Sequence, residues 1–171
     1  VGLSGKDVIG AIPMNATDEA GEPVDLGFVG EVDTVNVDPI LAVTDRNEVP
    51  VITPLGTGAD GAVFNINADF SACRIAEALA ARKLVFLSDV PGILADSQDE
   101  SSLIKTVCLS DVDRLIEDRT ITGGMVPKIR SAVDALQAGT NKVHLVDGRI
   151  QHSLLLEIFT DEGVGTQIVK T

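Results

Sequence analysis

Short apolar runs alternate with helix-period segments along most of this chain, and that alternation confines it to an α/β fold. Val49 to Leu55 reads as one apolar strand, Leu84 to Leu87 as a buried one, Lys142 to Val146 as a third, and Thr166 to Val169 closes the series. Between them, Ala72, Ile75, Ala76 and Leu79 mark one helix. Ile129, Ala132, Val133 and Leu136 recur at i, i+3, i+4 and i+7 in a second, which ends at Gly139. Strands separated by helices predict helices on both faces of a largely parallel sheet, a three-layer α/β/α sandwich.

The remaining segments fill in around that frame. Val8 to Ile12 and Gly27 to Val32 flank a polar stretch, Asn15 to Glu22, and predict a β-rich excursion. Asp38-Pro39 opens a short helix reaching about Asp45. Ser110 and Asp113 resemble a capping box for a helix to about Asp118, and a further helix runs from about Gln151 to Phe159. No fixed-period repeat and no linker divides the sequence, so 1–171 reads as one domain.

In open α/β sheets, ligands bind at the carboxyl ends of the strands. Here the strands ending near Leu55, Leu87 and Val146 run into Gly56-Thr57-Gly58-Ala59-Asp60-Gly61, Ser88-Asp89-Val90-Pro91-Gly92 and Asp147-Gly148-Arg149. The chain holds 26 acidic against 13 basic residues, a formal charge of −13, which argues against a general nucleic-acid or membrane surface. An anionic ligand therefore needs a local cationic pocket or a divalent metal. Lys128 supplies such a point. It lies in the first turn of the helix that Pro127 opens, beside the positive end of the dipole and behind a Gly123-Gly124 turn. Ammonium, dipole and turn amides together suit phosphate.

Other candidates are weaker taken singly. Asp69 opens a helix and suits an N-cap, yet Asn65 and Asn67 precede it and the three polar side chains cluster. Lys6 sits in the glycine-containing turn Ser4-Gly5-Lys6-Asp7, without the full phosphate-loop pattern. Ser88 and Asp89 suit either turn chemistry or a ribose contact. His144 reads as structural, and His152 and Glu157 are five apart on a helix, too far around for one face. Cys73 and Cys108 make no metal or disulfide framework, and no Ser-His-Asp or Cys-His set is present. No apolar run approaches the roughly 18 residues of a membrane span, no leader peptide is legible, and a cytoplasmic protein is the expectation.

Taken together, several segments resemble the acetylglutamate kinase family within the wider amino-acid kinase fold. They are Gly2-Leu3-Ser4-Gly5-Lys6-Asp7, Asp25 to Glu31, Asn65-Ile66-Asn67-Ala68-Asp69, Leu87 to Leu94, Ile121 to Lys128, His152 to Glu157 and the tail Thr160 to Thr166. The resemblance runs almost end to end and implies transfer of the γ-phosphoryl of ATP, with Mg2+, to the side-chain carboxylate of N-acetyl-L-glutamate in arginine biosynthesis. It implies Lys128 as the catalytic lysine on the ATP phosphates, Asp69 as an organising carboxylate and Asn65 as an acetylglutamate contact. Lys6, Ser88, Asp89, Val90, Gly92, Leu94, Thr122, Gly123, Gly124 and Met125 would belong to the nucleotide site. His152, Glu157, Gly163 and Gly165 would take L-arginine as an inhibitor. The resemblance further implies that this chain is the C-terminal, nucleotide-binding half of a homo-oligomeric parent, inactive or nearly so alone, because Val1 to Asp7 read like the middle of a longer protein. Half of another amino-acid kinase (aspartate, glutamate or carbamate), or a non-catalytic module binding arginine or nucleotide, are the alternatives. Phe70 is bulkier than the family pattern leads one to expect after Asp69.

Overall fold

The computed structural model describes residues 1–160 and 163–171, which fold as two compact units, Val1–Leu79 and Ala80–Thr171. Residues 161 and 162, inside the family-like tail, lie outside the described residues.

The first unit is mostly β. Its elements are β1 (Gly2–Leu3), β2 (Ile9–Pro13), β3 (Ala16–Thr17), β4 (Pro23–Val24), β5 (Val29–Val35), α1 (Asp38–Thr44), β6 (Val51–Ile52), β7 (Leu55–Thr57), β8 (Val63–Ile66) and α2 (Ala68–Ala78). Strands β2, β5, β8 and β7 close into a small barrel, β1 pairs in parallel with β6, and β3 pairs antiparallel with β4 across the polar stretch. Val8, Ile9 and Ile40 form one core cluster, with Ile75 and Leu79 packed against it, and Ala11, Phe64 and Ile66 form another.

Two expectations change here. The apolar run Val49 to Leu55 enters two short strands rather than forming one, with Val49 74% and Val51 63% exposed. Pro54 has no N–H for a ladder and interrupts the run, so apolar composition alone misleads. Asn67, rather than Asp69, caps α2: its Oδ1 accepts the N–H of Asp69 at 2.9 Å and of Phe70 at 3.2 Å.

The second unit contains β9 (Lys83–Ser88), β10 (Thr106–Cys108), α3 (Val112–Glu117), α4 (Met125–Ala138), β11 (Lys142–Asp147), α5 (Ser153–Phe159) and β12 (Thr166–Val169). The sheet order is β10-β12-β11-β9, parallel at β10/β12 and β11/β9 and antiparallel at β11/β12. The sheet is thus largely parallel, and strands alternate with helices as an α/β fold requires. Ile129, Leu136, Val143, Leu145, Val146 and Ile168 are each at most 2% exposed. At about 1.5–3 kcal/mol for each large apolar side chain buried, this face of α4 against the sheet anchors the unit.

Strand β9 is less buried than its composition suggests: Leu84 and Phe86 face inward while Leu87 is 54% exposed. Helix α4 starts at Met125, so Pro127 is its third residue rather than its first. The Ser110–Asp113 capping box does not form. The chain enters α3 through a 3-10 turn, Leu109–Asp111, so Ser110 never takes the extended backbone that an N-cap needs.

Candidate functional site

In the second unit, the loop after β9 and the start of α4 enclose a cavity of about 430 Å³ lined by Ser88, Asp89, Val90, Thr122, Gly124, Met125, Lys128 and Leu145. Seven of these eight are residues that the sequence nominated. Strand β9 ends with Ser88, in register with Asp147 of β11, and this delivers Ser88 and Asp89 to the carboxyl edge of the sheet. Leu145 belongs to the same edge and escaped nomination, because strand alternation alone marks it as core.

Lys128 is the cation of this cavity. Its Nζ lies 4.9 Å from the centroid of Phe86, a residue only 5% exposed. An ammonium over an aromatic face gains about 0.5–2 kcal/mol, so Phe86 helps to fix where the charge sits. The α4 terminus differs from the expectation in one respect. Met125 N–H turns back to Thr122 O and Val126 N–H to Gly123 O, each at 3.2 Å, and Pro127 has no N–H. The first turn holds no acidic side chain and no side-chain cap. Its attraction for anions therefore rests on Lys128 and the helix dipole more than on exposed amides.

Three nominated residues of the same unit do not line the cavity. Gly123 has φ +56 and makes the turn into α4. Gly92 has φ +141, and a Cβ there would meet Thr166 Oγ1 at 2.6 Å and a Leu103 methyl at 2.9 Å, so its role is to let the loop pass close to β12. Leu94 bridges to Leu103 in the same loop. In the first unit, Lys6 is exposed on a 3-10 turn, Gly5–Asp7, with its carbonyl accepting from Thr57 Oγ1 at 3.0 Å. Asn65 sits in β8 and Asp69 in the first turn of α2, and Phe70 beside it is 45% exposed.

A second cavity of the second unit, about 450 Å³, is lined by Lys83, Lys105, Lys142, His144, Glu157 and Gly163 among others. Glu157 Oε1 lies 2.6 Å from His144 Nδ1, and Oε2 accepts the N–H of Val164 at 2.7 Å and of Gly165 at 2.9 Å. Burial pushes this carboxyl up, but the His144 hydrogen bond and the two amides outweigh it and hold it below the usual glutamate range. His144 Nε2 is buried without a hydrogen-bond partner among the described residues. Glu157, Gly163 and Gly165 thus come together as nominated, whereas His152, at φ +59 just before α5, is not part of the lining. His144 and the three lysines escaped nomination; a histidine and a glutamate thirteen residues apart carry no local signal.

Among the described residues, no group of three or more His, Cys, Asp or Glu could hold a metal ion, and no helix is long and apolar enough to cross a membrane.

A profile of the amino acid kinase family matches residues 4–147. The chain is 49% identical over 173 residues to the acetylglutamate kinase of Symbiobacterium thermophilum, covering 99% of this chain and 59% of that protein. It is 47% identical over 177 residues to the acetylglutamate kinase of Heliobacterium modesticaldum, covering 99% and 60%. The chain thus spans about three fifths of the length of these curated relatives. Among solved structures, N-acetylglutamate synthase from Neisseria gonorrhoeae, complexed with coenzyme A and L-arginine, matches with a TM-score of 0.85 at 28% identity. That match covers 99% of this chain and 38% of the synthase.

Proposed function

The chain belongs to the amino acid kinase family, and from that premise we propose that it supplies the ATP site of an acetylglutamate kinase, which phosphorylates the side-chain carboxylate of N-acetyl-L-glutamate. The observation that carries this reading is the cavity in which Ser88, Asp89, Val90, Thr122, Gly124 and Met125 meet Lys128. The relatives at 47–49% identity support the substrate over those of other amino acid kinases.

In this reading the loop after β9 and the turn before α4 receive the nucleoside, with Asp89 at the ribose. Lys128, at the positive end of α4, faces the phosphates and stabilises the charge that develops on the leaving oxygen during transfer. Phosphoryl transfer is dominated by positioning and electrostatics, so a fixed cation at a helix terminus is the chemistry it needs. Magnesium would accompany the triphosphate and offset part of its charge. Asp69 as an organising carboxylate, Lys6 at a phosphate and Asn65 as an acetylglutamate contact rest on the family resemblance.

The second cavity is proposed as an L-arginine effector site. Its support is Glu157 with three lysines around one 450 Å³ space, together with a similar structure that carries L-arginine. The Val164 and Gly165 amides are already taken by Glu157, so the lysines, rather than the turn, would meet the effector carboxylate.

Isothermal titration with magnesium and a non-hydrolysable ATP analogue tests the nucleotide reading. Saturable binding that weakens on the order of tenfold in Lys128→Ala is expected, as loss of one charged contact implies. A folded chain that gives no saturable binding would sink it.

A further inference from the structure

Lys128 stands where helix physics disfavours a cation, at the N-terminal end of α4 and the positive end of its dipole. A lysine ammonium is a strongly hydrated point charge on a flexible four-carbon stem. Dipole and hydration both draw it outward into water, away from the cavity that Lys128 lines with Thr122 and Gly124. A contact that holds it inward lets it meet a ligand there with little further loss of freedom.

Phe86 supplies that contact. The Lys128 Nζ lies 4.9 Å from the centroid of its ring, inside the roughly 6 Å over which an aromatic face attracts a cation. The ring belongs to the core: Phe86 is 5% exposed and is in register with Leu145 of β11, itself 2% exposed and part of the cavity lining. Ile129 and Ala132 of α4 are fully buried in the same unit. Ring and helix are therefore both fixed, and together they set where the ammonium rests. A ring face forms no ion pair, so it holds the ammonium without cancelling its charge, as a carboxylate would.

We propose that Phe86 is a positioning residue for Lys128: its ring face keeps the ammonium preorganised at the nucleotide cavity, so that phosphates meet a charge already in place. This role rests on the reading of the cavity as a nucleotide site. Phe86 does not line the cavity; it acts through Lys128, which does. Charged phosphates feel the ammonium and an uncharged nucleoside does not. The ring therefore governs triphosphate affinity and leaves nucleoside affinity nearly unchanged.

The test replaces Phe86 with mono-, di- and trifluorophenylalanine in the full chain, because fluorine drains the ring face of electron density while barely changing its size. Calorimetric titration uses magnesium with a non-hydrolysable ATP analogue, and adenosine as the uncharged probe. Analogue affinity falls stepwise with fluorination, by about fivefold for the trifluoro ring, while adenosine affinity stays within about twofold. In the Lys128→Met background the analogue series is flat, because the cation that reads the ring is gone. A flat series with Lys128 present, or the same slope in both backgrounds, means that Phe86 acts by packing alone. Either result overturns the inference and leaves the nucleotide reading intact. If Lys128→Met binds too weakly to titrate, the contrast between analogue and adenosine with Lys128 present decides. NMR without nucleotide reads the contact directly: the Lys128 ε-methylene protons should lie upfield of those of the other lysines, and their absence from that region overturns the inference. Wild type that binds no analogue overturns the nucleotide reading and this inference with it.

Discussion

Glu157 and His144 are joined at 2.6 Å across an interior where their side chains are 5% and 7% exposed. With the Val164 and Gly165 amides, the pair ties the end of α5 and the turn before β12 to the middle of β11. Burial alone would raise the carboxyl, and the hydrogen bonds hold it lowered from the ordinary glutamate value of 4.5. The stability it contributes is therefore complete above that unfolded-state value and is lost as pH falls through the lower, folded one. Urea unfolding between about pH 6 and pH 3 should show wild type losing more stability on the acid side than Glu157→Gln. At neutral pH the variant should be less stable by about 1–3 kcal/mol, because the amides and the imidazole lose a charged acceptor. Parallel acid profiles for the two proteins would contradict this account.

Thr166 links the loop after β9 to β12. Its Oγ1 accepts Ile93 N–H at 2.9 Å and donates to Ile104 O at 2.7 Å, and the residue is fully buried. Thr166→Val keeps the volume but leaves a buried N–H without its partner, which costs about 1–3 kcal/mol. The loop it holds includes Val90 of the Lys128 cavity, the proposed nucleotide site, so analogue affinity should fall together with the urea midpoint. An unchanged midpoint would mean that the loop repacks without this hydroxyl.

Periodicity makes α4 and β12 legible, because each has an apolar pattern that only one element satisfies. The polar lining of the Lys128 cavity is legible too: Ser88, Asp89 and Lys128 follow from asking which polar residues emerge at strand and helix ends, and Thr122 from the family resemblance. What stays hidden depends on distance in sequence. His144 and Glu157 meet only because β11 and α5 pack together, and Phe86 finds Lys128 only because β9 lies beneath α4. The failed capping box at Ser110 shows the opposite error, in which a correct local motif is overridden by the backbone path leading into it. Pro54 is a visible warning that the run from Val49 to Leu55 breaks.

Asn67 caps α2 through two bonds, to the amides of Asp69 and Phe70. Asn67→Ala should destabilise the protein by about 1 kcal/mol, whereas Asn67→Asp should be nearly neutral because aspartate caps as well. Asp69→Asn leaves that cap in place, so any stability lost in this variant under urea does not come from the two Asn67 bonds. A large loss of stability in Asp69→Asn would assign that carboxylate to the scaffold instead of to the proposed chemistry.

The second cavity sets three lysines against a single carboxylate whose oxygens already carry three hydrogen bonds. Lys105 Nζ lies 3.3 Å from Gly163 O, and Lys142 Nζ lies 3.2 Å from Gln167 Oε1, so both ammonium groups are held by neutral acceptors at the rim. A ligand carboxylate competes well for such donors, since charged hydrogen bonds are roughly twice as strong as neutral ones. L-arginine should therefore bind this chain more tightly than agmatine, which has the guanidinium but no carboxylate. Lys105→Met should weaken L-arginine on the order of tenfold and leave agmatine within about twofold, because only the carboxylate contact is lost. Titration calorimetry with both ligands makes the comparison. Equal losses for the two would show that Lys105 acts without the ligand carboxylate, and would remove this cavity as the proposed effector site.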